Sequence, residues 1–187
     1  MKLYHGTSNI SADNILKYGI DLEKGNTEVD FGKGFYTTNN FEFAEKRAIY
    51  RAKSESRFNR NADVKPVVIE FEIDENTINQ KNTKYKLKRF KGSDNEWAKF
   101  CIYNRCDNEF LEKNNIDFHN KDSKYDIVIG KTADVSISTL SCRFSEGKYQ
   151  IDKNTHTIID NKDFKTQFSF HSKRVLKELE IIKIIEL

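Results

Sequence analysis

The residues best suited to chemistry in this chain are His5, followed by Gly6 and Thr7, and Tyr36, which ends the segment Asp30-Phe31-Gly32-Lys33-Gly34-Phe35-Tyr36. A glycine beside a histidine leaves the backbone open to a flat ring, because no Cβ stands in the way. A carboxamide can then pair with the main-chain N–H and C=O of Gly6. His5 can offer one ring nitrogen to a ribose hydroxyl while a neighbour fixes the other. Tyr36 supplies a π face for stacking, worth about 0.5–1.5 kcal/mol beyond its buried area. Together these groups describe a slot for a nucleoside. The plain alternatives are a satisfied structural histidine at a strand end and a half-buried strand aromatic. Gly32 and Gly34 fit neither the dinucleotide fingerprint nor the phosphate loop, since a third glycine and a Gly-Lys-Ser/Thr run are both missing.

Further along, Arg105 is placed to clamp a pyrophosphate bidentately, with an exposed ion-pair role as the alternative. Asp126, between apolar neighbours, reads as a hydrogen-bonded structural carboxylate. Cys101 and Cys106 have no matching pair elsewhere, so no zinc site is expected. Lys81 to Lys91 is a basic run interleaved with Tyr85 and Phe90, and Arg47, Arg51, Lys53, Arg57 and Arg60 form a second basic face. Such mixtures suit single-stranded nucleic acid or an acidic partner, and a solvated face equally.

The elements that must position these residues follow from periodicity and punctuation. Lys2 to Thr7 reads as a strand, and Ser8 to Asp13 offers caps for a helix with Ile10, Ile15 and Leu16 on its apolar face, ended by Gly19. Gly34 to Thr38 is a second strand, entered through a glycine bend. Asn40 opens a helix to about Ser56, and Val67 to Ile73 is the clearest strand. Asp94 caps a helix whose core face is Trp97, Phe100, Cys101 and Asn104. Tyr125 to Gly130 and Thr166 to Phe170 are strands, a short helix runs from Lys173 to about Leu179, and Ile181 to Leu187 is a last apolar segment. Helices lie among the early strands and several strands follow, which indicates α+β rather than a regular βαβ series.

At 187 residues the chain is read as a single domain spanning 1–187, with a basic or helical insert around 76–122. Charged residues make up 33% but the net charge is only +3, so no global field for a polyanion is implied. No apolar run approaches the roughly 18 residues of a membrane span, so no membrane partner is expected. No secretory segment follows Met1 and the first strand begins almost there, so the expectation is an uncleaved chain in a reducing cytoplasm.

Tyr4-His5-Gly6-Thr7 and Asp30-Phe31-Gly32-Lys33-Gly34-Phe35-Tyr36-Thr37-Thr38 together resemble the first two motifs of the His-Tyr-Glu branch of the ADP-ribosyltransferases. Trp97 with Asn104-Arg105, Tyr125 to Gly130 and Gln167 to Phe170 extend the resemblance to a bacterial domain of unknown function related to that superfamily. The resemblance implies a split mixed or antiparallel β-sheet core with peripheral helices. It implies NAD as substrate, no metal, and transfer of ADP-ribose to a macromolecular acceptor, protein or nucleic acid, with release of nicotinamide. It also implies a toxin of the toxin–antitoxin kind, with a neutralising partner protein. Carried over residue by residue, His5 holds the ribose, Gly6 the nicotinamide amide and Tyr36 the nicotinamide ring. Thr7, Asp30, Gly34 and Arg105 complete the binding set. Gln167 stands where active relatives have a glutamate. An amide accepts the same ribose bond but carries no charge, and each tenfold loss of rate is about 1.4 kcal/mol of barrier. Asp30 is the first choice to supply the missing carboxylate. The alternatives are a non-catalytic NAD or nucleotide-binding module, and a nucleic-acid-binding protein that uses residues 81–91.

Overall fold

The computed structural model describes residues 1–59, 62–79, 81, 84–133, 135–160 and 165–187. These build an α+β fold in which seven strands form one mixed sheet and seven α-helices surround it, counted among the described residues. In chain order the elements are β1 (Lys2–Ser8), α1 (Asn9–Tyr18), β2 (Phe35–Thr38), α2 (Phe41–Ser56), β3 (Pro66–Glu72), β4 (Leu87–Arg89), α3 (Asn95–Arg105), α4 (Asn108–Lys113), β5 (Ile127–Lys131), α5 (Ser136–Ser145), α6 (Thr155–Ile159), β6 (Thr166–Phe170), α7 (Lys173–Leu176) and β7 (Glu180–Glu186). The strand order is β4-β5-β6-β2-β1-β3-β7, and β4 with β5 is the one parallel pair among them.

The caps named from sequence hold the helices around the sheet. Ser8 Oγ accepts from Ser11 N at 3.1 Å, Asn40 Oδ1 from Phe43 N at 2.8 Å and Asp94 Oδ1 from Trp97 N at 2.8 Å. Each such cap is worth about 1 kcal/mol. Gly19 closes α1 at φ +80°, a conformation that favours glycine. The contact of α1 with the sheet centres on Ala12 and Ile15, so Leu16, expected on the apolar face, is 51% exposed at its rim.

The two faces of the sheet are covered differently, and this makes the cleft. Leu3, Phe35, Ile69, Phe71, Ile129, Phe168 and Phe170 form one continuous core on one face, together with Ala12 of α1 and Val175 of α7. The other face carries two separate clusters. Ala44 and Ala48 of α2 pack on Val68 near one edge, while Trp97, Phe100, Ile102, Ile137 and Leu140 of α3 and α5 pack on Val128 near the other. The stretch 76–122, expected as an insert, therefore supplies a sheet strand and the helix that buries Trp97. Helices α4, α5 and α6 had no expectation from sequence. α5 is rich in serine, which competes with the helix backbone, and the burial of Ile137 and Leu140 carries it instead.

Candidate functional site

β1 and β2 share one register pair, Tyr4 with Thr38, and then part. Beyond that pair the β1 edge from His5 to Thr7 borders a cleft of about 1270 Å3. Its walls come from both α1 and α2, which cover opposite faces of the sheet. His5, Gly6, Thr7, Asp30, Gly34, Tyr36, Arg105 and Gln167, drawn from β1, the glycine bend, β2, α3 and β6, all line it.

His5 spans the gap between the two strands. Its Nδ1 lies 2.7 Å from the main-chain oxygen of Tyr36, and the ring rests 4.4 Å from that of Phe35, centroid to centroid. A carbonyl only accepts, so Nδ1 carries the proton. Burial, with the charges of Arg51 and Arg47 behind it and against the pull of that hydrogen bond, lowers the His5 pKa from 6.5 to about 4. The ring is therefore neutral at pH 7, and Nε2 is left as an acceptor, the tautomer that takes a hydroxyl proton. Gly6 has a structural reason of its own. A Cβ there would stand 1.9 Å from the main-chain oxygen of Ala44, so glycine is what lets α2 lie against β1.

Tyr36 closes the glycine bend. Its hydroxyl donates to Gly32 O at 2.7 Å and accepts from Phe31 N at 3.1 Å, and burial followed by the Asp30 charge pushes the phenol pKa well up. Gly32 sits at φ +84°, and a Cβ on it would meet the main-chain oxygen of Asn120 at 2.6 Å. Asn120 is itself tied to Asn104 Oδ1 of α3 by its N–H at 2.8 Å. Gly34 makes room for His171, whose Nδ1 donates to Lys33 O at 2.9 Å. Burial lowers the His171 pKa to about 4, so this ring is also neutral. The bend is thus fastened from α3, from β6 and from within.

Asp30 joins the remaining residues. Its Oδ1 accepts from Arg105 Nη2 at 2.8 Å and Nε at 3.2 Å, and its Oδ2 accepts from Ala133 N at 3.0 Å and Gln167 Nε2 at 2.8 Å. Only an N–H can face a carboxylate so held, which fixes the Gln167 amide with its oxygen turned the other way. Gln167 sits opposite Thr38 and Gly130 in the sheet, and no donor of the described residues bonds its Oε1. Arg105 gives its third contact to Ser138 Oγ at 2.9 Å. In this arrangement the guanidinium orients Asp30 rather than reaching freely for a pyrophosphate.

A family model matches residues 1–181. The chain belongs to DUF3990, a family of proteins of unknown function. No curated protein and no solved structure matches it.

Two site residues of this DUF3990 chain escaped sequence reading as cleft residues. Arg47 and Arg51, assigned to an outer basic face, line the cleft beside His5. Their four-residue spacing on α2, out of step with the buried Ala44, Ala48 and Ala52, was the available signal. Arg60, assigned to the same face, lies outside the described residues. Other sequence readings resolve away from the cleft. Asp126 takes Ser172 Oγ at 2.5 Å, Lys86 N at 2.9 Å and both prongs of Arg174; burial opposes its charge, but these partners hold its pKa down to about 2. In the basic run, Tyr85 and Phe90 are buried, and Lys84 and Lys88 pair with Glu178 and Glu96. Core placement removes both rings as a stacking platform for bases. Asn82 and Thr83 of that run lie outside the described residues. Among those residues no cluster of His, Cys, Asp and Glu could hold a metal ion, and no helix is long and apolar enough to cross a membrane.

Proposed function

We propose that this cleft binds NAD and that the protein is an ADP-ribosyltransferase-type enzyme on a split-sheet core. The observation that carries the reading is the convergence of His5, Tyr36 and Gln167 on one cleft at the parting of β1 and β2. The nicotinamide ring lies against Tyr36, with its carboxamide on the Gly6 backbone. Neutral His5 accepts a ribose hydroxyl at Nε2, and Gln167 Oε1 accepts the 2′-hydroxyl of the nicotinamide ribose.

The bond from the ribose C1′ to the pyridinium nitrogen breaks, and nicotinamide leaves as a neutral molecule with the electron pair. Positive charge gathers on C1′ and the ring oxygen. A nucleophile of a macromolecular acceptor then bonds C1′ and gives its proton to solvent. The negative charge nearest this event is that of Asp30, one hydrogen bond behind Gln167 and already shared with Arg105. The acceleration is accordingly smaller than a glutamate in direct contact supplies, since a fixed charge aimed at the developing cation is the largest catalytic contribution in such a site. That same arrangement favours a second reading, a module that holds NAD without turning it over.

Purified protein incubated with NAD, alone and with bacterial lysate, tests both. Release of nicotinamide by the wild type but not by Tyr36→Ala supports the enzyme. Saturable NAD binding without release supports the module. Absence of binding removes both readings.

A further inference from the structure

The cleft carries an excess of basic over acidic residues. Six basic residues line it, Lys24, Arg47, Arg51, Arg105, Lys173 and Lys177, against three acidic ones. All three carboxylates are engaged elsewhere. Asp30 is bound by Arg105 and Gln167, Asp21 caps the turn at Leu22–Lys24 by accepting from Glu23 N at 3.0 Å, and Glu55 takes the hydroxyl of Ser8. Arg105 has a carboxylate partner, whereas Arg47 and Arg51 pair with no carboxylate of the described residues. Although Arg47 keeps exposed surface, partial desolvation against the cleft wall, and then the charge of Arg51, lower its pKa from the usual value. Two like charges one helical turn apart repel each other, and the Asp30 charge that opposes this at Arg47 is already shared with Arg105.

Their position is set by small residues. Gly6 and Ala44 bring the α2 backbone against β1, and Arg47 and Arg51 emerge beside that contact, near enough to act on the protonation of His5. Both arginines line the same cleft as His5, Asp30 and Gln167.

We propose that Arg47 and Arg51 form a diphosphate subsite on the α2 wall of the cleft, taking the bridged phosphates of a dinucleotide. Guanidinium groups match phosphate oxygens bidentately, and two of them at this spacing meet two linked phosphates rather than one. The assignment rests on the NAD reading for the identity of its ligand but not for the chemistry of the site. It also moves the pyrophosphate role from Arg105, which Asp30 and Ser138 occupy, to a pair that meets no carboxylate among the described residues.

The experiment measures binding of inorganic pyrophosphate, ADP, nicotinamide riboside and NAD to the wild type and to the Arg47→Gln/Arg51→Gln double variant. Both side chains are exposed, so the variant is expected to melt as the wild type does, and a matching melting temperature is required. The expected result is pyrophosphate and ADP binding that weakens with salt and falls about tenfold or more in the variant, with nicotinamide riboside unaffected. NAD bound equally by both proteins overturns the subsite and leaves the NAD reading standing. Arginine-dependent pyrophosphate binding with no affinity for nicotinamide riboside, and NAD no tighter than ADP, keeps the subsite and removes the NAD reading. A single-stranded oligonucleotide displacing pyrophosphate more strongly than NAD does also overturns it, because the site would then be reading a backbone.

Discussion

Gln167 Nε2 donates to Asp30 Oδ2 at 2.8 Å, with both side chains buried, and this bond decides what Gln167 can do. The site is built around an amide. Gln167→Glu would set two carboxylates at hydrogen-bond distance, and one would keep a proton at pH 7 to avoid like-charge repulsion. The expected outcome is loss, not gain, of nicotinamide release. Stability should also drop by about 1–3 kcal/mol, read as a fall of about 2–4 °C in melting temperature per kcal/mol. Adding Asp30→Asn gives the introduced glutamate a donor but turns the same amide NH2 toward the Ala133 N–H, so the double variant is expected to recover only part of the stability lost in Gln167→Glu. A single Gln167→Glu variant with faster release and an unchanged melting point would refute this account.

The members of the candidate site were legible one by one, but which of them pair was not, for reasons that lie in range. His5, the bend and Tyr36 are close in sequence, and glycine punctuation with strand alternation marks them directly. Asn40 and Asp94 announced their helices because caps are local. The Asp30–Gln167 and Asp30–Arg105 pairs join residues far apart in the chain, and nothing in local pattern specifies which carboxylate meets which amide. Arg47 and Arg51 were visible as a basic stripe. Whether that stripe faced solvent or a cleft depended on where β1 and β2 part. Phe90 and Tyr85 misled for the same reason, since an aromatic among lysines reads alike on a surface and at a strand that enters the core.

The two neutral histidines make stability pH-dependent in a stated direction. His5 and His171 have folded pKa values of about 4, below the unfolded value of about 6.5, so the unfolded chain binds more protons between these limits. Their contribution is fully present above pH 6.5 and is lost as pH falls toward 4, by at most about 1.4 kcal/mol per pH unit for each ring. Denaturant unfolding at pH 7 and pH 4.5 should show the loss, and histidine ring signals in NMR should titrate well below pH 6. A midpoint near 6.5 for His5 would mean that burial does not hold the ring neutral below its ordinary titration range.

Tyr36 has two separable jobs, and Phe separates them. Tyr36→Phe removes the bonds to Gly32 O and Phe31 N but keeps the ring. Leaving the Phe31 N–H unpaired should cost about 1–3 kcal/mol of stability. NAD affinity should change less than about threefold if the ring alone does the stacking. Tyr36→Ala should lose both. Thermal melting and NAD titration on the same three proteins separate a hydroxyl that shapes the bend from a ring that meets the ligand.

Gly6 decides whether the first motif is glycine for the ligand or for the fold. A methyl group at Gly6 would stand 1.9 Å from Ala44 O and 2.7 Å from Ala48 N, both backbone atoms of α2 that cannot turn aside. Gly6→Ala should therefore push α2 away from β1, costing about 1–3 kcal/mol or more as overpacking does. Because Arg47 and Arg51 ride on α2, pyrophosphate affinity should fall with it. Gly147→Ala is the control. Its Cβ meets nothing within 4 Å, it does not line the cleft, and only the φ of +70° opposes it, so about 1 kcal/mol is expected with no change in binding. Equal melting temperatures for Gly6→Ala and wild type would return the glycine to the ligand and detach the arginine pair from the geometry argued for it.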